Sequence, residues 1–167
     1  MRTLLVCAVA LFALGYVAEG VAGMFGFGKK VDVFLCPEVH GQITLNGEPL
    51  SGVKVMREVV YDDEFVDYAV TSGSGAFTFG ELHTRSRTPG RPFDETRTVQ
   101  AITAEYQDKQ YLLWAYATDS ISEESSISER LGSLRCDLSD EEIYHHFPRP
   151  DSSHLTYNVK GLCRWDF

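Results

Sequence analysis

Cys36 and His40 stand four positions apart in "CPEVH", and a thiol beside an imidazole is the pairing from which an activated nucleophile is made. On a strand, however, four residues span about 13 Å, well beyond the roughly 3 Å a base needs. A bulge at Pro37 could shorten that reach, yet the expectation is a partly buried thiol and a surface imidazole. His145, His146 and His154, with Asp151 or Glu142, are a second candidate set with mixed nitrogen and oxygen donors. Adjacent imidazoles point apart and the spacing matches no zinc pattern, so solvated histidines are expected and no metal is assigned. Asp62, Asp63, Glu64 and Asp67 offer oxygens of the kind calcium takes, but the regular spacing and central glycine of a calcium loop are missing. The expected state is a solvated hairpin tip. No pair of carboxylates stands out for glycoside hydrolysis. No catalytic residue and no cofactor are therefore expected.

The Arg-rich stretch "HTRSRTPGRPFDETR" is the more informative one. Arg85, Arg87, Arg91 and Arg97 are four of the 14 Lys and Arg residues beyond position 22. Forked guanidinium groups hold carboxylate or phosphate, and loops on a rigid scaffold are where binding concentrates. Two prolines and a glycine read as a loop from His83 to Thr98. Asp94 and Glu95 in the same stretch are its internal counter-charges. Tyr106, Tyr111, Trp114 and Tyr116 could form an aromatic binding stripe, although alternating aromatics in a hairpin are more often core.

These residues must be held by short strands. "GQITLNGEPLSGVKV" alternates around Asn46-Gly47, a turn pair suited to positive φ. Glu48-Pro49 follow, and the expectation is a turn longer than two residues. Strands are predicted over 53–60 and 66–71, then "SGSG" turns into "AFTF" with Phe77 and Phe79 facing the core. "TVQAITAEY" and "QYLLWAY" form a second hairpin. Residues 119–130 are either an exposed loop or one amphipathic helical turn. Ser139 with Glu142 has capping-box spacing, which predicts a short helix at 140–146. Leu155 to Trp165 is predicted as the closing strand. The fold class is accordingly all-β, an antiparallel Greek-key sandwich with one short helix near the C-terminus.

Residues 1–22 read as a signal peptide: Arg2, then an apolar run too short to cross a bilayer comfortably, then small residues at Gly20 and Ala22. An uncleaved anchor is the alternative; after cleavage no membrane span is expected. Positions 23–30 form a flexible lead-in and 31–167 a single domain. The formal charge of −9 argues against nucleic acid, whose phosphates need clustered cations. Three cysteines remain beyond position 22. Alternation points Leu134, Cys136 and Leu138 to one face, and Leu155, Tyr157, Val159, Cys163 and Trp165 likewise. A Cys136–Cys163 disulfide is favoured, with Cys36 left over; three free thiols packed as small hydrophobes is the alternative.

Gly41, Pro49, Gly52, Val55, Thr71, Gly75 and Phe77 match a pattern of glycine–strand, small-residue turn, P-x-x-G-x-x-V and T-D-x-x-G-x-F, with Ser72 where Asp is usual. Over roughly 39–80 the chain thus resembles the carboxypeptidase-regulatory-like and transthyretin-like β-sandwiches. "EYQDKQYLLWA", "LRCDLSDEE" and "GLCRW" look similar to an uncharacterised bacterial family built on that sandwich, a resemblance that implies the bacterial cell envelope, periplasmic or secreted. The Tyr-Arg-Gly-Ser ending of the transthyretin-like hydrolases of urate breakdown is absent, so their catalytic residues are not carried over. The expected function is a non-catalytic exported module that binds a protein or glycan partner, with an inhibitor of a secreted toxin enzyme as the alternative and a hydrolase ranked last.

Overall fold

The computed structural model describes residues 29–89, 91, 93–150 and 152–165; the expected signal peptide and positions 23–28 of the lead-in lie outside them. In chain order the strands are β1 (Val31–Cys36), β2 (Val39–Leu45), β3 (Glu48–Pro49), β4 (Lys54–Val60), β5 (Glu64–Val70), β6 (Ala76–Phe79), β7 (Leu82–Ser86), β8 (Thr98–Tyr106) and β9 (Lys109–Thr118). A helix, α1 (Ser125–Leu131), precedes β10 (Leu134–Asp137), β11 (Ile143–Arg149) and β12 (Ser152–Gly161).

Residues 31–45 and 76–86 form what is in effect one antiparallel ribbon. Val31 pairs with Ser86 and Phe34 with His83; the register slips by one at Cys36, then continues from Val39–Phe79 to Gln42–Ala76. Leu35 is the extra residue at the slip, and Pro37 follows in the gap between β1 and β2, where a residue without an N–H costs no ladder bond. β10 runs parallel to β2 on the ribbon's other side, and β3 extends the β2 margin. The second layer is a six-stranded sheet in the order β11-β12-β9-β8-β4-β5.

The two layers close on one core. Val33, Leu35, Val39 and Ile43 meet Val55, Val59, Ile102, Leu113 and Trp114, all at most 1 % exposed. One buried polar group, Gln100, stitches the layers through this core. Gln100 Nε2 donates to the Leu35 carbonyl at 2.8 Å, and its Oε1 accepts from Trp114 Nε1 at 3.3 Å. Burial of Gln100 is tolerated because both ends of its amide are partnered. Phe77 and Phe79 pack edge to face, as the alternation predicts. The fold class is therefore all-β, a two-layer sandwich, with antiparallel pairing throughout except between β10 and β2.

Several local expectations are corrected. Asn46 and Gly47 alone make the first turn, at φ +53° and +84°, with Leu45 facing Glu48; Pro49 is accommodated in a two-residue strand at the sheet margin. Residues 83–86 belong to β7 rather than a loop, because β1 supplies their partner. The helix is not at 140–146. Ser139 spends its amide and hydroxyl on Asp137, and Ile143 to Arg149 pairs with β12. Tertiary pairing overrides the capping pattern there. The helix lies instead at 125–131, where Ile127 and Leu131, one turn apart, are the buried residues. In the last strand Tyr157 and Val159 face inward, but Leu155 is exposed near its start.

Cys136 and Cys163 come together at disulfide distance, with Cα atoms 4.1 Å apart. The Arg135–Arg164 backbone bridge beside them joins β10 to the segment after β12, so the pair links the two layers. Among the described residues Cys36 is the free cysteine, and it is buried.

Candidate functional site

β12 meets β9 through a single register pair, Lys160–Ala115. On one side of that pair the strands stay together, with the Leu162 amide donating to the Leu112 carbonyl at 3.0 Å. On the other side they part, and a cleft of about 220 Å³ opens between them. Tyr116, Ala117, Thr118 and Asp119 line one wall; Thr156, Tyr157 and Asn158 line the other. The large sheet is therefore split at this end.

Two guanidinium groups reach the split from different directions. Arg97 closes the Arg-rich segment immediately before β8, and Arg149 ends β11. Arg149 Cζ lies over the Tyr157 ring, 5.3 Å from its centroid and within cation–π range. Tyr157 and Tyr116 meet edge to face, with centroids 6.1 Å apart. The other polar groups are already oriented. Tyr116 donates its hydroxyl to Glu124 Oε2 at 2.8 Å, and burial together with that carboxylate pushes its pKa up, so it stays protonated. Thr118 Oγ1 accepts the Ser120 amide, and Asn158 Oδ1 accepts the Thr156 hydroxyl and sits 2.6 Å from His146 Nδ1. Asp119 is the one carboxylate residue on the lining. A cleft with two guanidinium forks on its lining can orient an acidic group.

The other Arg-rich positions do not join Arg97. Arg85 is on β7, paired with Asp32 at 3.1 Å where both side chains are largely in water, and donates to the Lys30 carbonyl. Arg87 and Arg91 are exposed, and Arg91 opens a turn whose Asp94 accepts the Thr96 amide. Bonds from Thr96 and the nearby Arg91 hold the Asp94 pKa down. The segment is tied to the fold by Asp62, which accepts hydroxyls from both Ser86 and Thr88. Part of the acidic hairpin tip is thus an anchor for the arginine segment.

The candidate catalytic and metal sets stay apart. Cys36 is buried, with its thiol pKa pushed to about 11 by desolvation against the opposing pull of Arg57; His40 faces outward toward Glu38 at 3.0 Å. His145 packs against Phe147 and Trp165. Burial, and then the Arg164 charge, lowers its pKa. His146 faces Asn158, His154 is exposed, Glu142 pairs with Lys160, and Asp151 lies outside the described residues. Asp67 binds Arg57 through two bonds of 3.0 and 2.7 Å. Among the described residues, no three His, Cys, Asp or Glu side chains are placed to hold a metal ion. In the aromatic hairpin, Trp114 and Tyr116 are buried, and Tyr106 and Tyr111 pack against the same core.

Arg149, Thr156 and Tyr157 carry no spacing that links them to Arg97, and alternation alone gives Tyr157 a place in the core and none of the three a binding role. The separation of β9 from β12 brings them together, and that is a property of strand order. No helix among the described residues is long and apolar enough to cross a membrane.

No curated protein and no solved structure matches the chain. Residues 39–141 match a family, a span that takes in the Arg97 and Tyr116–Asp119 wall of the cleft and stops before β11 and β12. By that match, which covers more than half its length, the chain belongs to the family described as Domain of unknown function (DUF6795).

Proposed function

We propose that the protein is a non-catalytic, exported binding module of the cell envelope that holds an acidic group of a protein or glycan partner in the cleft between β9 and β12. The observation that carries this reading is the convergence of Arg97 and Arg149 on one opening in an otherwise acidic protein. Two guanidinium forks from separate elements define an orientation for a carboxylate or sulfate. The scaffold behind them is rigid, because Gln100 and the Cys136–Cys163 pair both join the layers. A disulfide also agrees with passage through an oxidising compartment.

The test is capture from envelope extract with immobilised wild type, Arg97→Ala and Arg149→Ala. Each substitution is expected to weaken capture of the same partner about tenfold or more, and added salt to weaken the wild type in parallel. Unchanged capture by both variants, with unchanged melting curves, overturns the reading.

A further inference from the structure

The outer face of the six-stranded layer exposes several apolar side chains among charged ones such as Lys54 and Glu105. Val60, Val66, Tyr68, Val70 and Val99 are all exposed. The register sets Val66 beside Glu58 and Ala101, and Tyr68 beside Met56 and Thr103. Next to Tyr68 the surface dips into a depression of about 220 Å³ lined by Lys54, Met56, Tyr68, Thr103, Glu105 and Gln110. This apolar area runs out to the margin of the sheet. β5 pairs with β4 on one side, and among the described residues no strand pairs with its other side.

Sheet margins are usually blunted by proline, lysine or an inward-pointing charge. At the opposite margin β11 carries Pro148 and Arg149. β5, "EFVDYAV", has neither proline nor lysine. Its one inward charge, Asp67, is already neutralised by both arms of the Arg57 fork. The strand therefore offers a backbone margin with Val66, Tyr68 and Val70 in a row on its outer side, and its other charge, Glu64, stands at its start.

We infer that β5 pairs antiparallel with β5 of a second copy, about a two-fold axis at Asp67, so that the two six-stranded layers become one continuous sheet. The charge pattern selects a second copy as the occupant. Asp63 and Glu64 lie at the start of β5, while its last residue, Val70, has Lys54 as strand neighbour. An antiparallel two-fold sets each acidic start against the other copy's lysine-flanked end; a parallel arrangement would stack the acidic starts. Centred on Asp67, Val66 faces the partner's Tyr68, and the apolar rows of the two copies merge. The axis also sets Asp67 opposite the partner's Asp67, each carboxylate held by its own Arg57 fork, and the same patch is used on both copies, as a two-fold requires.

The experiment is light scattering on the purified full chain, alongside Val66→Lys and Tyr68→Lys. The wild type is expected to be a dimer, and each lysine variant a monomer at the same concentration with its melting temperature kept, since both side chains are exposed. An equimolar mixture of Val66→Cys and Tyr68→Cys is expected to give a covalent dimer that neither gives alone. A monomeric wild type, including one that captures a foreign strand instead, overturns the inference, as does a dimer that both lysine variants leave intact. A mixture that fails to cross-link overturns the register centred on Asp67.

Discussion

Asp137 Oδ2 accepts the Gly47 amide at 2.7 Å across 90 positions of sequence, and by that bond the end of β10 closes the turn between β2 and β3. The same carboxylate accepts the Asn46 amide at 3.0 Å, the Thr44 hydroxyl at 2.8 Å, and the amide and hydroxyl of Ser139. A turn with two positive φ values leaves its amides pointing outward, and Asp137 gathers them. Desolvation alone would raise its pKa; the bonds from Ser139, Gly47 and Thr44 outweigh it and hold the carboxyl far below its ordinary value.

Asp137→Asn is expected to cost about 1–2 kcal/mol at neutral pH, the value of charge-assisted bonds discounted for partial exposure. The folded pKa is depressed, so the wild-type contribution is complete above the unfolded value of about 3.9 and drains away as pH falls through the lower folded value. Urea titrations from neutral pH downward should show the gap between variant and wild type narrowing below about pH 4. A gap that stays constant would mean the carboxylate charge is irrelevant.

Gly75→Val is expected to destabilise by about 3 kcal/mol. Its φ is +76°, and a Cβ there would stand 2.3 Å from the Ile43 carbonyl oxygen, which a backbone atom cannot relieve by rotating away. Gly73, two residues earlier in the same turn, has open space and no positive φ. Gly73→Ala should therefore stay within about 0.5 kcal/mol of wild type. Thermal melts of the two variants side by side decide the matter; equal losses would show that this turn is not constrained as described.

Arg57 and Asp67 form a pair that is buried at one end only: the guanidinium side chain is 3 % exposed and the carboxylate side chain 49 %. Removing the exposed partner should be worse than removing the buried one. Asp67→Ala leaves a buried cation with the Gly80 carbonyl (2.7 Å) as its remaining hydrogen-bond acceptor, at a cost of about 2–3 kcal/mol. Arg57→Met takes the charge out of the core, keeps much of its volume under Phe79, and leaves Asp67 to water. Denaturant midpoints for the two singles and the double variant test the order. If Arg57→Met proves the more damaging, packing rather than charge governs this position.

Much of this molecule follows from residues near one another in the chain. The alternation of Phe77 with Phe79, the Asn46-Gly47 reversal and the inward Cys136 of "LRCDL" are local patterns, because a strand repeats every two residues and a core takes one face; Cys163 is buried too, but it lies past the end of β12 beside an equally buried Leu162. They suffice for an all-β sandwich and favour the Cys136–Cys163 pair over three free thiols, a choice the tertiary contact decides. Sequence spacing misassigns "LSDEEIYHHF", since the capping pattern at Ser139 says nothing of β12, the strand that pairs with Ile143 to Arg149.

What needed three dimensions is every feature that depends on which strand lies next to which. Asp62 anchoring the arginine segment, Asp137 closing a turn 90 residues away and Arg97 meeting Arg149 across a split sheet are relations between elements. Side-chain chemistry is written locally and says what a residue can bind. Strand order and register are collective outcomes of core packing, and they alone decide which residues are brought within reach of each other.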